Sequence, residues 1–143
     1  MPATPFGPGT VTIGTTPYDF SCEVVSGSVT HEYEEVGEAR TMLCGTEVPA
    51  TRKRNDGLTF ELETDLMDSG LYAHLHTYDP DDPAPVDVSY TPHNDTAASW
   101  EGQVQPLLPA SVDGSEFGAM HTASVEWPAV GHLAFTPGVT PAP

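Results

Sequence analysis

Apolar and polar residues alternate along this chain in short runs, and the stretch from Tyr18 to Tyr78 shows the pattern best. In Tyr18-Asp19-Phe20-Ser21-Cys22-Glu23-Val24 the period is two. Successive side chains of a strand point to opposite faces, so Tyr18, Phe20, Cys22 and Val24 share one face and Asp19, Ser21 and Glu23 the other. Ser26-Gly27 supplies turn chemistry, and a second strand follows with Val29, His31 and Tyr33 opposite Thr30, Glu32 and Glu34. The apolar pattern then lapses into an acidic excursion, Glu34-Glu35-Val36-Gly37-Glu38. Two readings stand: a solvated loop, since blocks of like charge repel one another, or a protruding hairpin that contacts another subunit or lines an aqueous channel. The chain returns through Arg40-Thr41-Met42-Leu43-Cys44-Gly45. Asn55-Asp56-Gly57, ahead of an alternating run, is the strongest hairpin-turn signal, and Leu58, Phe60 and Leu62 form one face of the strand after it.

One segment changes period. Leu71, Leu75 and Tyr78 recur at helical spacing and predict a short helix from Ser69 to Tyr78. Asp68 is placed to cap its start, and Asp79-Pro80-Asp81-Asp82-Pro83 ends it. Beyond it the period returns to two in Val86, Val88 and Tyr90, in Trp100, Gly102 and Val104, and in Ala123, Val125 and Trp127, with Leu133 and Phe135 closing the pattern. Short strands with turn residues between them predict a mainly β fold: a single-domain sandwich or barrel with one short flanking helix and a long hairpin or loop. Residues 10–135 would form that domain, between a Pro-rich N-terminal arm at 1–9 and a Pro-rich tail at 136–143.

Composition adds a strong constraint. The 21 Asp and Glu residues against 4 Lys and Arg give a formal charge of −17. Such a surface repels polyanions, and DNA recognition needs clustered Lys and Arg, so specific nucleic-acid binding is excluded. Wholesale disorder is the bland consequence of high charge, but 38% hydrophobic content in regular alternation argues against it. A domain of 143 residues buries roughly 68–70% of its unfolded surface, enough for a core without metal or disulfide support. The first residues have neither the basic nor the apolar region of a secretory leader, and no run approaches the roughly 18 apolar residues of a membrane span, so no membrane partner is expected. Cys22 and Cys44 sit in apolar patterns and are expected as small core hydrophobes, with a bridge between neighbouring strands as the alternative.

Three of the 4 basic residues form Arg52-Lys53-Arg54. On a surface otherwise acidic, this patch reads either as a solvated hairpin end or as a contact with another copy of the chain. No reaction is legible. The Gly-x-Ser-x-Gly elbow is absent and neither cysteine has a basic neighbour. His74 and His76 point different ways on a helix, and Asp79-Pro80-Asp81-Asp82 lacks the later glutamate of a calcium loop. No catalytic residue, metal or cofactor is expected.

Element order and local wording carry one resemblance. The return strand ends in Leu43-Cys44-Gly45-Thr46-Glu47-Val48, and Leu58-Thr59-Phe60-Glu61-Leu62 leads to Ser69-Gly70-Leu71. Val86-Asp87-Val88-Ser89-Tyr90-Thr91-Pro92 and Trp100-Glu101-Gly102-Gln103-Val104 follow. This order resembles the major tail proteins, or tail tube proteins, of long-tailed bacteriophages, particularly those infecting actinobacteria, over residues 10–135. The resemblance implies a structural virion protein, assembled in the host bacterial cytoplasm, whose copies form stacked and typically hexameric rings. Strands of adjacent subunits would continue one another around a lumen that conducts DNA during ejection. Ser28–Cys44 would correspond to the extended hairpin of the family, Leu71–Tyr78 to its flanking helix, and the Pro-rich ends to contacts with adjacent rings. Implied partners are further copies, the tape measure protein and other tail proteins, with genomic DNA passing unbound.

On that reading the intersubunit residues are Glu32, Glu34, Glu35, Glu38, Arg40, Arg52, Lys53 and Arg54, while Leu71, Leu75 and Tyr78 seat the helix. An acidic wall fits independently, because a channel that passes DNA must not hold it. Two alternatives remain: a sandwich that decorates an existing capsid or tail, and a carbohydrate-binding module with Trp100 and Trp127 as an exposed platform. Both tryptophans occupy alternating apolar positions, which favours core or interface.

Overall fold

The computed structural model describes residues 6–114 and 117–139. It is mainly β with one short helix, as the periodicity predicts. Strands β1 (Thr10–Ile13), β2 (Tyr18–Asp19), β7 (Val86–Thr91), β8 (Ser99–Val104) and β11 (Ala134–Thr136) form one sheet in the order β11-β8-β7-β1-β2. A second sheet, ordered β3-β6-β10-β9, contains β3 (Val24–Gly37), β6 (Thr51–Glu63), β9 (Val112–Asp113) and β10 (Thr122–Pro128). Strands β4 (Arg40–Thr41) and β5 (Glu47–Val48) make a small separate ribbon. Every pairing is antiparallel.

Alternation builds one core between the two sheets. Val11, Ile13, Val88, Tyr90 and Val104 enter it from the first sheet, and Leu58, Phe60, Leu62, Val125 and Trp127 from the second. Phe20 joins from the connection between the sheets, edge-on to Phe60 and Trp127 with ring centroids 5.8 and 5.6 Å apart. The Trp127 indole N–H donates to the Leu107 carbonyl at 2.9 Å, which satisfies its one polar group inside the core. Gly27 is required where the sheets meet. A Cβ there would lie 2.8 Å from the Tyr90 hydroxyl and 2.9 Å from the Phe60 ring, so a larger residue would force the aromatic layer apart.

Several local expectations give way to this core. Tyr18–Val24 is not one strand: β2 stops at Asp19, whose carboxylate accepts from the Ser21 amide at 2.9 Å, and a 3₁₀ turn occupies Ser21–Glu23. That Asp-led turn swings Cys22 out to solvent, and Cys44 is exposed as well, so neither thiol is a core residue or part of a bridge. Ser26-Gly27 lies inside β3 rather than in a turn, just past a bulge between Val24 and Ser26.

Asn55-Asp56-Gly57 sits in the middle of β6, paired with Thr30–Glu32, and no turn occurs there. The helix α1 is confined to Leu71–Leu75, with Gly70 rather than Asp68 at its N-cap and no side-chain cap. Glu23 takes over the cap's role, accepting from the Asp65 amide and the Leu71 amide at 3.0 Å each. Leu71 and Leu75 are buried in the core. Tyr78 lies beyond the helix end, half-buried against the core, with its hydroxyl 3.0 Å from the His74 Nε2.

Candidate functional site

The feature that dominates the molecule is the pair β3 and β6. These strands run antiparallel from the core outward, with Leu58 opposite Val29 near the base and Arg52 opposite Glu35 near the end. Strand β10 accompanies β6 only as far as Gly57. Past that point the two strands pair with each other alone, and the side chains of Glu32–Val36 and Thr51–Lys53 are exposed. The acidic excursion is therefore the outgoing half of a projecting hairpin arm, not a solvated loop. The arm is closed by the β4–β5 ribbon, in which Arg40 faces Val48 and Thr41 faces Glu47. Gly45 turns the tip with φ +87°, a left-handed conformation that glycine adopts without strain, and its amide donates to the Met42 carbonyl at 2.9 Å.

The register sorts the side chains by face. Tyr33 and Arg54, and then Glu35 and Arg52, point to the side continuous with the core; Glu32 and Asn55, and then Glu34 and Lys53, point to the other. Opposite charges thus stand across from each other at Glu34–Lys53 and Glu35–Arg52. The segment Glu32–Arg54 includes every Lys and Arg of the chain alongside Glu32, Glu34, Glu35, Glu38 and Glu47. The arm is near neutral, and the body carries nearly all the negative charge. Glu38 lies between β3 and β4, where its carbonyl accepts from Arg40 Nη1 at 3.4 Å.

Where the arm leaves the body, Asp56 forms a buried clamp. Its carboxylate is fully covered and accepts from His31 Nδ1 at 2.7 Å, from Arg54 Nη2 at 3.2 Å and from the Leu133 amide at 2.9 Å. A carboxylate in this position only accepts, so His31 carries its proton on Nδ1. Arg54 Nε also lies 2.9 Å from Oδ1, as an ion-pair contact whose N–H is not aligned on the oxygen. Burial alone would raise the Asp56 carboxyl, but donation from His31, Leu133 and Arg54 outweighs it and holds the group below its ordinary value. The clamp joins β3, β6 and the segment before β11. Sequence reading missed it because Asp and Gly together suggest a turn. The available signal was the unbroken period of two running back from Leu62 through Phe60 and Leu58, which places Asp56 and Arg54 on the core-facing side.

The outward face of the second sheet is the other extended surface. It presents Ser26, Ser28, Thr30, Glu32 and Glu34 from β3, Thr59, Glu61 and Glu63 from β6, and Thr122, Ser124 and Glu126 from β10. The Ser26 hydroxyl donates to Glu61 at 3.2 Å. Over the body, from Ser26 to Thr30, Thr59 to Glu63 and Thr122 to Glu126, this face is hydroxyl and carboxylate, which suits water rather than a protein partner, whereas along the arm it carries Glu32, Glu34, Asn55 and Lys53. The sheet's edge is different. β3 is an end strand of 14 residues, so one whole row of its backbone N–H and C=O groups has no strand partner among the described residues. Trp127 is buried and Trp100 lies between Tyr90 and Phe135, so the two do not form an exposed sugar platform. Among the described residues no cluster of His, Cys, Asp and Glu has the makings of a metal site.

No protein-family model and no curated protein matches the sequence. The fold is nonetheless shared with chains of assembled particles. A chain from the virion of a native gene transfer agent particle superposes with a TM-score of 0.60 at 12% identity, over 94% of this chain and 99% of that one. A chain from the tail of an empty gene transfer agent particle, solved with C6 symmetry, gives 0.60 at 14% identity over the same shares. A chain from the extended sheath–tube complex of an extracellular contractile injection system gives 0.56 at 12% identity, over 93% of this chain and 92% of that one.

Proposed function

We propose that this protein is the tube subunit of a virion tail, a structural protein that works by assembling with copies of itself. The observation that carries the reading is the long unpaired edge of β3. An exposed strand of 14 residues is a template for another strand, and natural monomers shorten or cover such edges. Here the opposite edge of the same sheet is also open, because β9 covers only Thr122 and Ala123 of β10. An edge strand at each side lets the sheet of one copy continue into the next, a heterologous contact that closes into a ring. The shared fold with the C6-symmetric tail chain supports six copies per ring.

In that ring the body part of the Ser, Thr and Glu face, short of the arm that begins at Glu32, lines the lumen. Its carboxylates repel the phosphates of passing DNA, and its hydroxyls stay hydrated, so the wall conducts without binding. The eight charged arm residues, Glu32, Glu34, Glu35, Glu38, Arg40, Arg52, Lys53 and Arg54, lie where copies meet, and α1 with Leu71, Leu75 and Tyr78 braces the subunit from outside. Other tail proteins, including a tape measure protein, occupy the lumen or the tube ends. The reading rests on the free edges, the acidic face and the shared fold together. Electron microscopy of the purified protein tests it: stacked rings with an open axial channel are expected. A chain that stays monomeric across concentration and salt, alone and with tail initiator proteins, would overturn it.

A further inference from the structure

We infer that the outward face of the first sheet carries a groove for neutral saccharides, an adhesive site on the side of the subunit opposite the acidic face of the second sheet. The register builds its floor. Thr12, Ser89 and Glu101 stand in one row across β1, β7 and β8, and Asp87 and Gln103 stand in the next. Their neighbours Ile13 and Val88 are buried in the core, so this polar set faces the other way. β1 ends at Ile13, and the Gly14 amide donates to the Asp87 carbonyl at 2.8 Å as the chain turns off the sheet. Thr15 and Pro17 of that turn wall a cavity of about 480 Å³ over the two rows.

A second cavity of about 420 Å³ shares Gly14, Thr15, Asp87 and Gln103 with the first and ends against His74 and Tyr78 beside α1. The two form one continuous groove. Its aromatic end is held in place: Tyr18 stacks on the His74 ring with centroids 4.3 Å apart and 6° between planes, and the Tyr78 hydroxyl lies 3.0 Å from His74 Nε2. Small-ligand sites combine a concave shape with a few placed polar groups and an apolar surface, and this groove brings the three together.

The lining selects the ligand. The carboxylates of Asp87 and Glu101 accept from hydroxyl pairs, while the hydroxyls of Thr12, Thr15 and Ser89 donate or accept. The Gln103 amide donates one N–H to Asp87 Oδ1 at 3.3 Å, which fixes the side chain and leaves its other N–H and its carbonyl for a ligand. Every Lys and Arg of the chain lies between Arg40 and Arg54 on the arm, so no side chain of the groove pairs with a phosphate or a uronate. A polyamine satisfies the two carboxylates but gives the Gln103 donor nothing to bond. A neutral sugar offers a donor and an acceptor at every hydroxyl, with an apolar C–H face for the Tyr78 ring. The groove's place in an assembly rests on the tube proposed above: it lies on the outer wall beside α1. There, many copies convert a weak single contact into retention about 10²–10⁴-fold stronger.

Titration of the purified protein tests the groove directly, with maltohexaose, cellohexaose and mannohexaose as probes followed by saturation-transfer NMR. At least one should bind with a Kd of about 1 mM or tighter, while hexagalacturonate and spermidine should not bind. Asp87→Ala and Glu101→Ala should each weaken binding about tenfold at an unchanged melting temperature, because both side chains are exposed. Asp113→Ala, an equally exposed carboxylate on the second sheet, should change nothing. Failure of all three neutral probes, equal binding of hexagalacturonate or spermidine, or full binding by both groove variants overturns the saccharide site. Tubes that form but ignore the sugars overturn the groove and leave the tube reading standing. A chain that binds them and never assembles keeps the groove and overturns the tube.

Discussion

At the scale of single residues, Asp56 does the most. Removing its charge strands the partly buried Arg54 guanidinium, the His31 N–H and the Leu133 amide, so Asp56→Ala should cost about 2–4 kcal/mol, measured by denaturant unfolding of the monomer. Its pH dependence has a definite sign. The folded carboxyl is held below the ordinary value of 3.8, so its contribution is complete above that pH and is lost as pH falls through the lower folded value. Wild type and Asp56→Asn should therefore melt with a constant difference at neutral pH, and the gap should shrink only below about pH 4. A gap that closes between pH 5 and 7 would show that the clamp is not what holds the carboxyl down. The same residue shows the limit of local reading. Asn-Asp-Gly has the chemistry of a turn, and only donors from His31, Arg54 and Leu133, the last of them far away in sequence, convert it into a strand residue. Cys22 is the converse case: the alternation that put it in the core ends at Asp19, where a side chain captures the backbone two residues on.

Among elements, the arm is where intramolecular and intermolecular roles must be separated. Glu34 faces Lys53 across β3 and β6, and such a pair contributes about 0.2–1 kcal/mol, while like charges there destabilise. Lys53→Glu should weaken the arm by that small amount, seen as faster hydrogen exchange of amides in Glu32–Gly37, and Glu34→Lys in the same chain should restore it. If Lys53 also meets an acidic surface of another copy, the doubly swapped protein will regain arm protection but will still assemble poorly. Full recovery of assembly would assign the pair to the arm alone. The arm was half legible beforehand. The lapse of apolar residues after Tyr33 marked where the core ends, but a strand that packs against nothing has no face to alternate. What keeps Glu32–Gly37 extended is the register with Thr51–Asn55, a long-range pairing that periodicity does not report. The helix shows the same dependence, since its start is set by Glu23 from another part of the chain rather than by Asp68 nearby.

For the whole molecule, the proposed self-assembly has to be reconciled with a charge of −17. Self-repulsion opposes assembly, and at physiological salt it is screened beyond about 8 Å, so contacts between strand edges and apolar surfaces can prevail at short range. Repulsion then remains useful where a surface faces open water across a channel. The outward face of the second sheet concentrates Glu61, Glu63 and Glu126 on adjacent strands, and this placement makes the lumen assignment testable. Reversing all three to Lys leaves the core and both sheet edges untouched, so rings should still form. Each copy would then offer three cations to a duplex on the axis, and their phosphate contacts release counterions. Wild-type tubes should not retain duplex DNA at any salt concentration. The triple variant should hold it at low salt, lose it steeply as salt rises, and show axial density by electron cryomicroscopy. Retention by the wild type, or density on the outer surface of the variant, would place this face elsewhere in the assembly. The acidity would then be a solubility device, and the hydroxyl-rich strands would need a partner of another kind.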